Sequence, residues 1–367
     1  MLIAGAGPAG TAAAISLSDF APNLRVALVD APVANGVRVG ETLPPRIEPI
    51  LDHLKVRDAF AADGHRPSYR TVSAWGDEGL ASNEFLFQAH QTGWRLDRAR
   101  FDAMLLAKAA ERATCIAGKA VDAAHTEAGW RVRLDGGENH TARFLVDATG
   151  RGAVLARQNG VRFENLDRLV GIVVVFEGAA DDGVGLLLET FADGWWYTAV
   201  LPGGRRIVAC MSDADLVRSL GLNRSEGFMR ALGATQHVRD AVANARPAGA
   251  PALRPAGSRC IARDTALPLL CVGDAASCFD PVSGQGIFKA LRSGVFASYA
   301  IGDWLLRADD AGLRRYRRLV KGEFTAYAKT LQEFYAMERR WAERPFWRRR
   351  IAGEALASVS APMEAAV

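Results

Sequence analysis

Gly5, Gly7 and Gly10 stand in G-x-G-x-x-G spacing between a short apolar run, Leu2-Ile3-Ala4, and a helical run from Thr11 to Leu17. A second apolar run, Arg25 to Val29, then ends in Asp30, twenty residues after Gly10. Glycines at this spacing carry little information alone. Placed between two strands and followed at this distance by an acid, they confine the start of the chain to a βαβ unit built to hold a dinucleotide. The glycines permit a tight turn and close approach of a pyrophosphate, and the helix N-terminus favours its charge. Asp30 can hold ribose hydroxyls. Only four residues precede Gly5, so the first strand is expected to start at the terminus itself.

Two later stretches repeat the pattern of a buried strand ending in an acid and a glycine turn. Arg143 to Gly150 reads as a strand closing on Asp147 and Gly150. Leu269 to Val272 closes on Gly273-Asp274, and the loop Pro281 to Gly286 leads into a helix with Ile287, Leu291 and Val295 at four-residue spacing. Asp30, Asp147 and Asp274 thus lie at strand ends, where ligands bind in an open α/β sheet. Between them, Gly40-Glu41-Thr42-Leu43-Pro44-Pro45, preceded by Arg38-Val39, forms an irregular loop before a helix carrying Ile47, Ile50, Leu51 and Leu54. Taken alone, Glu41 reads as a turn or capping acid. Leu96 to Asp102 opens a helix with Asp97 as candidate N-cap and a cation, Arg98 or Arg100, at its start, where an anionic partner or a surface salt bridge accounts for it.

The middle of the chain changes character. Strands are expected from Tyr69 to Trp75 and from Phe85 to Phe87, then as a small meander around Ala117–Ala124 and Trp130–Leu134. From Leu169 to Met211, β-branched and aromatic runs (Val170–Phe176, Val184–Phe191, Trp195–Leu201, Arg206–Met211) alternate with glycine turns, the pattern of an inserted antiparallel sheet. Trp195, Trp196 and Tyr197 are candidates for lining a pocket, or for packing that sheet on helices. Short helices follow near Ala214–Leu220 and Ser225–Leu232. After Asp309 or Asp310, apolar residues at Leu313, Tyr316, Val320, Phe324, Tyr327, Leu331 and Phe334 mark a long helix strapped along the molecule, coiled-coil pairing being the lesser reading. The last fifteen or so residues are expected to be mobile.

Composition excludes several classes. Residues 306–350 hold 13 Lys/Arg against 6 Asp/Glu, so this one amphipathic stretch exceeds the +4 of the whole chain. A nucleic-acid binder needs a basic stripe with a matching motif, which is missing here. The five cysteines are odd in number and contain no C-x-x-C pair, as expected of reduced thiols in a cytoplasmic protein. The first 17 residues lack the basic flank of a signal peptide, and no apolar run is long enough for a membrane span. Six scattered histidines offer no metal motif, and no G-x-S-x-G elbow suggests a hydrolase.

Gly5-x-Gly7-x-x-Gly10 with Asp30, the Arg98–Asp102 helix start, Asp147-Ala-Thr-Gly150 and Gly273-Asp274…Asp280-Pro281…Gly284-x-Gly286 occur in this order. Together they resemble the FAD-binding fold of aromatic hydroxylases and geranylgeranyl reductases, over nearly the whole chain. The Gly40–Pro44 loop is similar to that of flavin-dependent halogenases. The tail Phe334-Tyr-Ala-Met-Glu-Arg-Arg-Trp341…Pro345-Phe-Trp347 resembles the maturation flavoproteins of lysine oxidase and quinohemoprotein amine dehydrogenase. The implied fold is α/β: a Rossmann-like FAD domain of glutathione-reductase/aromatic-hydroxylase type (1–64, 96–165, 255–305), an inserted antiparallel β-sheet substrate domain (65–95, 166–254) and a C-terminal helical segment (306–367).

The resemblance also implies residue roles. Gly5, Gly7, Pro8, Ala9 and Gly10 take the pyrophosphate, Asp30 the adenosine ribose and Arg98 the phosphate or ribitol side. Gly273 and Asp274 meet the ribitol or pyrophosphate, while Pro281, Gly284, Gln285 and Gly286 meet the isoalloxazine. Gly40, Glu41, Thr42, Asp147 and Gly150 complete the cofactor set. Glu41, Trp195 and Trp196 are the catalytic candidates. The implied activity is that of an FAD monooxygenase in which a flavin C4a-hydroperoxide passes one oxygen atom to an aromatic, indole-like substrate, free or peptidyl. Its electrons come from NAD(P)H or from externally reduced flavin, and its partners are a flavin reductase or a substrate polypeptide. Halogenation is disfavoured. No lysine occurs between Lys55 and Lys108, and Tyr197-Thr-Ala-Val-Leu-Pro202 departs from the halogenase W-x-W-x-I-P. A dehydrogenase or reductase of the same fold, and a non-catalytic accessory flavoprotein, also fit these motifs.

Overall fold

The carboxyl ends of five parallel strands set the geometry of the first unit (Met1–Gly64, Arg98–Glu164 and Arg259–Phe324). The computed structural model describes residues 1–31, 40–85, 90–179 and 185–351. Arg38 and Val39, the run to Phe87, the start at Val184 and the chain end after 351 lie outside these residues. Across the sheet the strands run Leu269–Cys271, Leu145–Asp147, Leu2–Ala4, Ala27–Asp30 and Thr114–Ala117. In register, Ala4 pairs with both Asp147 and Val29, Asp147 with Cys271, and Asp30 with Ala117. All pairs are parallel, so the strand-end acids emerge on one edge. The strands are apolar on both faces because both are covered. Trp130, Val132 and Leu134 of a three-stranded meander pack on one side with Leu145 and Leu269.

On the other side, the helix Pro8–Phe20 lies against the helix Gly286–Arg307. Their approach is so close that a Cβ on Gly294 would meet the Ala9 carbonyl oxygen at 2.3 Å and the Ala13 nitrogen at 2.9 Å. The long helix Ala311–Tyr335 follows, and the Asp309 carboxylate accepts the Ala311 N–H at 2.8 Å. Leu313, Tyr316 and Phe324 of its apolar seam are buried. The Tyr316 hydroxyl donates to the Cys271 carbonyl at 2.9 Å, and Arg317 pairs with Asp264 at 2.7 Å. The first half of this helix is therefore fastened to the edge strand of the sheet.

The second unit comprises His65–Asp97, Asn165–Ser258 and the chain from Thr325, so the segment 306–367 divides between the units after Phe324. A broad sheet dominates it, built on Leu169–Glu177, Arg205–Asp213, Gly194–Leu201 and Leu186–Phe191. These pairs are antiparallel, as the alternating β-branched pattern predicts, but Leu186–Glu189 runs parallel to Thr71–Ala74. Among the described residues, no helix is long and apolar enough to cross a membrane.

The C-terminal segment is clasped to this sheet by charge as well as by rings. Arg344 pairs with Asp193, Arg349 with Asp213 and Asp215, and Arg350 with Asp213. Glu338 is fully buried. Its carboxylate accepts from the Gly76 N–H at 2.9 Å, the Thr190 hydroxyl at 2.6 Å and the Arg340 guanidinium at 2.7 Å. Burial pushes this carboxyl up, but the bonds from Arg340 and Thr190 outweigh it and hold the group below its ordinary value. Its contribution is therefore complete above pH 4.5 and lost as the pH falls through the folded-state pKa. Removing one partner of a buried pair costs roughly 3–5 kcal/mol. Glu338→Ala should destabilise the protein by about 3 kcal/mol in urea unfolding at pH 7. The difference between wild type and Glu338→Gln should shrink as the pH drops into the carboxylate range.

Candidate functional site

At the head of the first helix, the three motif glycines have three different surroundings. Gly5 has φ of +110°, and a Cβ there would lie 2.4 Å from the Ala148 carbonyl oxygen. A Cβ on Gly10 would lie 1.9 Å from the Gly5 oxygen. Gly7 has an ordinary φ of −71° and nothing within 4 Å of its absent Cβ. Gly5 and Gly10 are thus required by the turn itself, whereas the space at Gly7 serves no internal contact. Pro8 opens the helix without an N–H to lose, and Ala9 is packed beneath Gly273 and Gly294. Asp30 ends its strand with a half-buried side chain.

A second open cradle sits at the head of the helix Gly286–Arg307. Asp280 accepts the Val282 N–H at 2.9 Å and closes the single turn Pro281–Ser283; Gly284 then takes the left-handed conformation at φ +60°. Gln285 occupies the N-cap position without a side-chain capping bond, and a Cβ added to Gly284 or to Gly286 would meet nothing within 4 Å. The loop after Gly40 reaches the same end: the strand Thr42–Leu43 packs on this helix and Arg46 lies 5.9 Å from the Phe288 ring centroid. Gly40 is left-handed at φ +89°. Its carbonyl accepts from Arg98 at 2.9 Å, and its N–H donates to the Glu41 carboxylate at 2.9 Å. Arg98 also pairs with Asp102 at 3.2 Å. The cation at that helix start therefore secures the Gly40 loop.

The strand-end acids diverge. Asp147 is fully buried, accepting from Thr149 N–H and hydroxyl at 2.9 and 2.6 Å and from the Ala156 N–H at 2.8 Å. Both its oxygens are committed to shaping the turn through Gly150, so the expected cofactor contact by this side chain is corrected to a supporting role. Asp274 instead faces three cations. Lys289 bonds its carboxylate at 3.0 Å, Arg151 lies 3.6 Å from the other oxygen and Arg259 donates to its carbonyl at 3.2 Å. Burial pushes the Asp274 carboxyl up, and Lys289, Arg151 and Arg259 outweigh this and hold it below the ordinary carboxylate value. Arg151 and Arg259 were not legible as site residues: no motif spacing links them to Asp274.

Trp195 and Trp196 do not join this site. As neighbours on one strand they point to opposite faces. Both are fully buried, Trp196 against Phe191 and Phe228, Trp195 against Trp75 with its N–H donated to the Tyr335 hydroxyl at 2.9 Å. Rings enclosed on all sides cannot touch a substrate. The expectation of catalytic tryptophans is corrected to one of core packing.

Two helix N-termini, open glycine cradles and an excess of cations at one sheet edge fit a cofactor with a pyrophosphate and a planar ring. Residues 1–321 match the family described as FAD binding domain. The chain belongs to this FAD-binding family. The flavoprotein is 30% identical to the FAD-dependent oxidoreductase LodB of Marinomonas mediterranea, over 98% of both chains. Its fold matches the myxobacterial chondrochloren halogenase CndH with a TM-score of 0.86 at 21% identity, covering 97% of this chain and 88% of that one. It also matches the peptidyl tryptophan dihydroxylase QhpG with a TM-score of 0.75 at 27% identity, covering 95% and 78%. It is therefore an FAD-dependent oxidoreductase of the halogenase and hydroxylase group with a Rossmann-like fold.

The glycine environments make distinct predictions. Gly7→Ala should leave the apoprotein's melting temperature within a degree or two, yet weaken FAD binding by about tenfold or more by filling the cradle. Gly10→Ala should instead lower apoprotein stability by more than about 2 kcal/mol through overpacking. Thermal melts and FAD fluorescence titration of the two apoproteins check both.

Proposed function

We propose that this flavoprotein is a monooxygenase that hydroxylates an indole ring held in a partner polypeptide. The observation carrying this reading is the likeness to a peptidyl tryptophan dihydroxylase, 27% identical over 95% of this chain, beside the end-to-end likeness to the FAD-dependent oxidoreductase LodB, 98% of each chain. Halogenation is the second reading, favoured by the fold match to CndH. Against it stands the absence of lysine between Lys55 and Lys108. Lys289 is no substitute, since it is buried and bonded to Asp274.

Bound FAD supplies the redox and oxygen-activating chemistry, and the chain supplies position, field and exclusion of water. In this reading Gly7 and the head of the first helix hold the pyrophosphate, and Asp30 holds the adenosine ribose. Asp274 faces the ribitol and pyrophosphate side. The turn Pro281–Gly286 and the helix it opens favour negative charge on the ring. Glu41, on the loop packed at the head of the same helix, is the candidate proton-transfer group. Residues 65–95 and 166–254 act as the substrate domain. Electrons reach FAD from NAD(P)H or from a separate flavin reductase.

Chemically reduced enzyme, mixed with ¹⁸O₂ and either a tryptophan-containing polypeptide or free tryptophan in the presence of chloride and bromide, tests the proposal by mass spectrometry. Labelled oxygen in the polypeptide's indole is the expected result. A halogenated ring, or oxidation without label, overturns it. NADH or NADPH consumption in the same mixture without added reductase decides the electron source.

A further inference from the structure

Lys289 is a buried cation that neither the motif nor the proposed chemistry employs. It is 3% exposed, in the second turn of the helix Gly286–Arg307. Its ammonium donates to the Asp274 carboxylate and to the Ser277 carbonyl, and lies 4.7 Å from the Phe279 ring centroid. An ammonium taken from water at this depth is strongly penalised unless a charge and hydrogen bonds replace its hydration. Here both do, and the ring face adds to them. Asp274 gains in turn. Its carboxylate stands at the strand end expected to face an anionic cofactor, and without a cation it would repel the phosphates.

We propose that Lys289 is a positioning residue for FAD: it fixes the Asp274 carboxylate and cancels its charge, so that a strand-end acid can share the site with a pyrophosphate. Among the described residues, the other charged or titratable groups facing Asp274 are Arg151, Arg259 and the Cys278 thiol, which donates to the Asp274 carbonyl at 3.1 Å. Arg151 is 3.6 Å from the carboxylate and Arg259 reaches only the backbone, so neither replaces the direct bond from Lys289. The proposal rests on FAD occupying this site but not on the choice of substrate or on oxygen transfer.

The test is FAD titration of apoprotein from pH 8 down to about pH 4.5, followed by fluorescence, for Lys289→Met, Lys289→Arg, Asp274→Asn and the double variant Asp274→Asn/Lys289→Met. Lys289→Met should weaken FAD binding by about tenfold or more at pH 8. The loss should shrink as the pH falls into the carboxylate range, because Asp274 without its cation takes up a proton more readily. Lys289→Arg should restore binding to within about threefold, and the double variant should bind no more weakly than Asp274→Asn, with no pH dependence. Two results would overturn the proposal: Lys289→Met binding within twofold of wild type at every pH, or a pH-independent loss that recurs when lysine is removed from Asp274→Asn. If Lys289→Met alone does not fold, the double variant against Asp274→Asn still decides, since the double variant removes both charges of the pair and leaves neither unpaired.

Discussion

Close approach of two helices through glycine holds the first unit together at the point proposed for the cofactor. Gly294 lets the helix Gly286–Arg307 touch the backbone of Pro8–Phe20, Gly273 admits Ala9, and Gly10 lets the first helix start directly over Gly5. Any Cβ at these positions would force backbone apart. The result is two helix N-termini delivered to the carboxyl edge of one parallel sheet. Each contributes partial positive charge, and each is preceded by a glycine whose empty side faces no protein atom. Packing thus uses some glycines of these motifs, and the proposed ligand binding uses others. A mutation at one class should register in stability and at the other in affinity.

Charge follows the same division. Asp147 pairs in register with Cys271, three residues before Asp274, but the loops beyond the two adjacent strands differ. The turn after Asp147 folds back and consumes both carboxylate oxygens with Thr149 and Ala156. The turn after Asp274 runs away to Pro281, leaving the carboxylate to side chains from distant segments: Arg151, Arg259 and Lys289. One acid is a structural brace, and the other is the centre of a cationic cluster.

Much of this was legible from the chain. The order of strand, glycine turn, helix and acid is local, and local patterns fixed the parallel sheet, the helix after Gly286 and the long amphipathic helix. The three strand-end acids, however, looked alike, because a side chain's partners depend on what folds over it. Lys289 and Asp274 are fifteen residues apart and meet across an irregular turn, so no periodicity links them. Trp195 and Trp196 could be read from sequence as lining a pocket or as packing the inserted sheet. Their burial depends on Trp75, on Tyr335, 140 residues after Trp195, and on Phe228 behind the sheet. The parallel pairing of Leu186–Glu189 with Thr71–Ala74 was equally hidden, since strand partners distant in sequence leave no spacing to read.

The central claim is that the glycine turn after the first strand, with Asp30, holds the adenosine and pyrophosphate half of the cofactor. Titration of the apoprotein with FAD and with FMN tests it most directly, because FMN carries the same ring without the adenosine half. FAD is expected to bind at least about a hundredfold more tightly, roughly 3 kcal/mol. Equal affinity for FMN and FAD would contradict the account.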